Sequence, residues 1–187
     1  MFHITFHAVK RKLHLVFLAL SLICFALTGY LYWQRYFNPL NLAFNSAPPS
    51  SVGNSKLSSL PATISLPDLG LTLPVIPAQI ISNVWPTTTA GVSYLFTSAR
   101  PGDTGNSIFY GHNWPRLLGK LSQVELGAII TISDNLGRAT SYQVAKISRV
   151  SPKDVSILAP SLRVKLTLYT CTGFADSQRL VVEAFAI

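Results

Sequence analysis

A thiol to attack a carbonyl, an imidazole to move a proton and a guanidinium to hold a developing negative oxygen are together the parts of an acyl-transfer site. Thiol and imidazole are scarce in this chain. Of its two cysteines, Cys24 sits inside the most apolar run, leaving Cys171 as the only thiol in the remainder. His3, His7 and His14 precede or open that run, and His112 is the only histidine beyond it. A disulfide within the remainder is therefore excluded, and one Cys with one His cannot supply four zinc ligands. No cofactor or metal is called for.

The segment Lys165-Leu-Thr-Leu-Tyr-Thr-Cys171 alternates, with Leu166, Leu168 and Thr170 on one side and Thr167, Tyr169 and Cys171 on the other. Such a period of two reads as a half-buried strand. Thr172 to Gln178 make a short loop, and from Arg179 the chain is apolar again. Antiparallel neighbours joined this way bring Cys171 and Arg179 to one end of a sheet. Read alone, each residue also has a plain structural meaning. Cys171 could be a small buried hydrophobe, His112 a solvated loop residue, Arg179 a salt-bridge partner of Asp176, and Thr170 a strand threonine.

Thr167-Leu168-Tyr169-Thr170-Cys171 resembles the Thr-Leu-x-Thr-Cys signature of the sortases, cysteine transpeptidases of bacterial cell surfaces. Arg179 matches their arginine, and Pro101 to His112 is similar to the segment carrying their histidine. The likeness spans roughly 61–187. It implies an eight-stranded β-barrel, Cys171 as nucleophile, His112 as general acid, Arg179 as holder of the oxyanion or of a substrate carbonyl, and Thr170 as a substrate contact. It also implies the partners: surface proteins with a C-terminal Leu-Pro-x-Thr-Gly-like sorting signal, and an amine of a cell-wall precursor or another protein. One departure stands out, Ala128 after Gly127 where the family usually has Asp. A papain-like Cys-His-Asp triad would instead need Asp68, Asp103, Asp134, Asp154 or Asp176 behind His112. Two more functions compete with transfer to an amine: a cysteine peptidase using water as acceptor, and a non-catalytic adhesion or sensor ectodomain.

The rest of the chain must position these residues. Within 187 residues the formal charge is +8, yet five basic residues and no acid precede residue 57, while ten basic and seven acidic residues are scattered after it. No basic stripe interleaved with aromatics appears, so nucleic acid is not an expected partner. Residues 1–12 form a basic tail ending in Lys10-Arg11-Lys12. Residues 13–33 carry no charge, are long enough to span a bilayer, and end in Tyr30, Tyr32 and Trp33. A cleaved signal peptide competes, but its apolar core is usually only about 7–15 residues and ends in small residues. Three basic residues before the span against Arg35 after it place the N-terminus in the cytoplasm and the rest outside. Residues 34–60, rich in Pro, Ser and Asn, read as a stalk.

In 61–187, strands are expected over 62–66, 71–76, 92–96, 107–110, 128–133, 140–150, 165–171 and 180–187. A hairpin turn is expected at Asn135-Leu136-Gly137 and a short helix over 115–122. Many short strands without a βαβ rhythm suggest a mostly β closed barrel or sandwich, and the resemblance selects the barrel.

Overall fold

A computed structural model of the chain describes residues 3–37, 42–44, 59–81 and 84–187. The chain divides into two units, 1–38 and 39–187. The first is a single helix, α1 (His3–Phe37). It contains Leu13–Gln34, 22 residues of mean hydropathy 2.1, long and apolar enough to cross a membrane. Helix α1 begins inside the expected tail, where the basic stretch holds no Pro or Gly to break a helix. Most of the expected stalk lies outside the described residues.

The second unit is built on β1 (Pro61–Leu66), β2 (Leu71–Ala78), β3 (Val92–Leu95), β4 (Gly105–Gly111), β5 (Ile129–Asp134), β6 (Ala139–Val150), β7 (Val164–Thr172) and β8 (Gln178–Ala186). They close in the order β1-β2-β3-β4-β7-β8-β6-β5. The mostly β, eight-stranded barrel expected from the sequence is therefore the fold. Pairs β2–β3 and β4–β7 are parallel and the other pairs antiparallel.

Alternation sorts the strand residues into two layers. Ile64, Leu73, Phe109, Ile132, Tyr142, Leu166, Leu168, Val182 and Ala184 point into one cluster drawn from strands all round the barrel. Ile108, Tyr110, Tyr169, Cys171 and Val181 belong to a second cluster, covered by residues from loops. In β7 the two sets are those separated by the period of two in the sequence. Strands β4 and β7 are thus buried on both faces, the usual condition of parallel neighbours.

Two local expectations change. The helix expected over 115–122 is a 3-10 helix at Leu118–Gln123. Leu117 is not helical there, φ −119° and ψ −122°, and the Trp114 carbonyl accepts from both Leu117 and Gly119 amides, at 2.8 and 2.9 Å. A Cβ on Gly119 would meet that carbonyl at 2.7 Å, so this tight turn requires glycine. Leu118 and Leu121 are buried on this 3-10 helix. Further 3-10 turns lie at Pro67–Leu69, Ser156–Leu158 and Phe174–Asp176. The expected turn at 135–137 is present, the Gly137 amide donating to the Asp134 carbonyl at 3.1 Å.

Candidate active site

Register brings the chemistry together. Cys171 on β7 lies directly opposite Arg179 on β8. On the other side of β7, Gly111 at the end of β4 pairs with Thr170, and His112 follows Gly111 as Cys171 follows Thr170. Histidine, cysteine and arginine thus sit side by side on three neighbouring strand ends, β4, β7 and β8. All three are buried, at 9%, 4% and 3% exposure, unusual for an arginine.

Each strand end is fastened by a buried polar contact. Thr170 Oγ1 donates to the Gly111 carbonyl at 2.7 Å, tying β7 to the residue before His112. Thr170 itself is 1% exposed, and the hydroxyl expected to meet substrate is engaged on the protein's own backbone. Thr167 Oγ1 donates to Asn106 Oδ1 at 2.7 Å, and Asn106 Nδ2 donates to the Ile157 and Ala159 carbonyls, both at 3.0 Å. That network pins the β6–β7 connection to β4 and β7.

Arg179 is held by backbone oxygens. Nη1 donates to the carbonyls of Asp176 (2.9 Å) and Gln178 (3.1 Å), and Nη2 to that of Ala43 (2.9 Å). What the guanidinium meets at Asp176 is thus the carbonyl, whereas the sequence also allowed a surface salt bridge. Among the described residues its buried Nε has no hydrogen-bond partner. The loop that offers the Asp176 carbonyl is strained, since Ala175 and Asp176 both adopt left-handed backbone, φ 50° and 58°.

Residues 42–44 close the cleft, although the sequence placed them in a stalk. Leu42 and Phe44 are 0% and 1% exposed. The Phe44 ring stands edge-on to Tyr169 at 5.0 Å and lies 6.0 Å from Trp85, which is itself edge-on to Tyr110 at 5.5 Å. Tyr110 and Tyr169 stack at 5.5 Å. Tyr169 donates to the Leu42 carbonyl at 3.3 Å. The strap therefore lays its carbonyls on Tyr169 and Arg179 and its apolar side chains among aromatics.

The profile of the sortase domain matches residues 64–186. The chain belongs to the sortase family. Among solved structures it is similar to sortase C-1 from Actinomyces oris, at 28% identity over 67% of this chain and 72% of that one, with a TM-score of 0.59. It is similar in fold to the complex of Streptococcus agalactiae sortase C1 and MTSET, at 23% identity over 67% of this chain and TM-score 0.57. A Clostridium perfringens sortase D5 transpeptidase matches at 22% identity over 68% of this chain and 78% of that one, TM-score 0.58. The chain spans 66% of the Streptococcus agalactiae structure's own length. No curated protein matches it.

Burial sets the resting charges of this sortase site. It pushes the Cys171 thiol up to about 12, with Arg179 pulling the other way and Asp176 adding to the rise. It also lowers the His112 imidazole below its ordinary value. Under the strap, thiol and imidazole are both neutral at neutral pH. Asp134 and Asp154, two candidates for a carboxylate behind His112, spend their carboxylates elsewhere. Asp134 holds Arg138 at 2.7 Å and Asp154 accepts from Ser156 Oγ at 2.6 Å. Sequence reading missed Leu42, Phe44, Trp85, Tyr110 and Trp114. Only Trp114 carried a local signal, an aromatic two residues from the lone histidine.

Proposed function

We propose that this sortase is a membrane-anchored cysteine transpeptidase that cleaves a C-terminal Leu-Pro-x-Thr-Gly-like signal and joins the surface protein to an amine. The observation that carries the reading is the register: Cys171 faces Arg179 across β7–β8 and neighbours His112 across β4–β7. Cys171 Sγ attacks the threonine carbonyl carbon, and Arg179 steadies the oxygen as it becomes negative. The C–N bond breaks, His112 passes its proton to the leaving glycine amine, and a thioester remains. An incoming amine then attacks that thioester, gives a proton back to His112 and releases Sγ.

The strap supports a peptide-shaped cleft, because its carbonyls already use the Tyr169 and Arg179 donors that an extended substrate would use. The unpartnered Arg179 Nε–H is one further donor for the oxyanion. With the strap displaced, water and Arg179 lower the thiol toward its ordinary value, and the thiolate–imidazolium pair becomes accessible. Thr170 contributes by holding the β4 and β7 ends in register. The β6–β7 connection and the 172–178 loop select the signal. Residues 13–33 anchor the chain with its N-terminus in the cytoplasm and its catalytic domain outside.

The test is to incubate the full chain in detergent with a Leu-Pro-x-Thr-Gly peptide and weigh it by mass spectrometry. A thioester adduct on Cys171 that a short glycine peptide converts to ligated product supports transfer. Release of free acid alone, with and without the amine, would make the protein a peptidase. A chain that never acylates would overturn the enzyme reading.

A further inference from the structure

The His112 imidazole stacks on the Trp114 indole, ring centroids 4.5 Å apart and planes within 10°. Trp114 is 8% exposed and belongs, with Leu117, Leu118 and Leu121, to the cluster drawn from strands all round the barrel. Its backbone is as firmly held as its ring, since its carbonyl takes the Leu117 and Gly119 amides. The Leu118 amide donates to the His112 carbonyl at 3.1 Å, so the same short turn fixes both residues. By register Cys171 on β7 lies beside His112 and Arg179 on β8 lies opposite Cys171, while Arg116 sits on the histidine's own loop. The Arg116 guanidinium lies over the same indole, 5.1 Å from its centroid.

We propose that Trp114 is the positioning residue of His112: its indole face fixes the plane of the imidazole at the cleft and favours the protonated ring. The inference rests on the acid role proposed above for His112. A buried imidazole has lost the water that would solvate its cation, and an electron-rich indole face replaces part of that solvation. Stacking also removes the rotation that would otherwise swing the acidic N–H away from a leaving amine, which costs rate and not affinity. A merely structural tryptophan would fill volume without acting on the histidine's titration.

The experiment titrates His112 by NMR in the full chain, in detergent, using isotope-labelled histidine and His112→Gln to assign the signal. Trp114→Leu removes the aromatic face, and Trp114→Phe keeps a weaker one. The His112 pKa is expected to fall by about 0.4–1.5 in the Leu variant, from the usual range of cation–π strength, and by less in the Phe variant. On a Leu-Pro-x-Thr-Gly peptide, kcat is expected to fall by about 10- to 100-fold in the Leu variant with KM little changed. Partial recovery is expected in the Phe variant. If the Leu variant does not fold, the Phe variant alone decides by its lower pKa. A His112 pKa equal to wild type in whichever variant folds overturns the proposal. If wild-type protein transfers no peptide while the variants still shift His112, the proposed function falls and the hold of Trp114 on His112 stands.

Discussion

Removing the Phe44 ring should expose the thiol, and the structure gives the size of the effect. Phe44 is 1% exposed, against Tyr169 and Trp85, and with the Ala43 carbonyl on Arg179 it holds the strap over Cys171. Burying a phenylalanine side chain is worth about 1.5–3 kcal/mol. Phe44→Ala loses that stabilisation only in the closed form, so the open fraction rises roughly 10- to 10²-fold at about 1.4 kcal/mol per decade. The upper limit is set by the thiol itself. Closed, burial pushes it to about 12 from an ordinary 9.0, so full opening raises the thiolate fraction at neutral pH by on the order of 10³. Alkylation of Cys171 by iodoacetamide, followed by peptide mass spectrometry to separate it from Cys24, reads that fraction. The expected result is alkylation one to two decades faster in Phe44→Ala, with the barrel's melting temperature little changed. Wild-type alkylation should keep rising with pH well above 9.0. An unchanged rate in a folded Phe44→Ala protein would refute the strap as the cover of the thiol.

Cys171→Ala should form no thioester with a Leu-Pro-x-Thr-Gly peptide and give no cleavage, as followed by mass spectrometry. Arg179→Lys keeps the charge but loses the planar fork now spread over the Ala43, Asp176 and Gln178 carbonyls. It should lower kcat by about 10² to 10³, the usual loss of one oxyanion donor; a near-wild-type kcat would remove Arg179 from the chemistry. Thr170→Val leaves the buried Gly111 carbonyl without its 2.7 Å donor and should cost about 1–3 kcal/mol in a urea titration. The imidazole of His112 is depressed in the folded protein, so its contribution to stability is present above its ordinary value of 6.5 and is lost as pH falls through the lower folded value. His112→Gln should therefore flatten the acid side of the stability–pH curve, measured by thermal melts across that range.

Cys171 and His112 were legible in the sequence because they are the only residues of their types beyond the apolar run, and Arg179 because it opens the next strand after a short loop. Alternation in 165–171 also told which side chains share a face, since a strand's side-chain period does not depend on its neighbours. The parallel β4–β7 pairing is different. Its partners lie far apart in sequence, and no local pattern encodes which strand ends meet. Residues 42–44 were hidden in a Pro-, Ser- and Asn-rich stretch, where two apolar side chains show no period. Only the aromatic wall of Trp85, Tyr110 and Tyr169 gives them a place. The helix expected over 115–122 gave way for a steric reason, as the close approach of Gly119 to the Trp114 carbonyl imposes a tighter turn.

The β4–β7 pairing also bears on the order of events when the chain folds. Thr170 and Gly111 are 59 residues apart, and hairpins within that span can form first, because closing a short loop costs less entropy than closing a long one. Contacts between residues so distant in sequence are those that slow folding. Cys171 and His112 therefore become neighbours only as the barrel closes. Until that step Cys171 carries an ordinary thiol, and the burial that raises it arrives together with the finished fold.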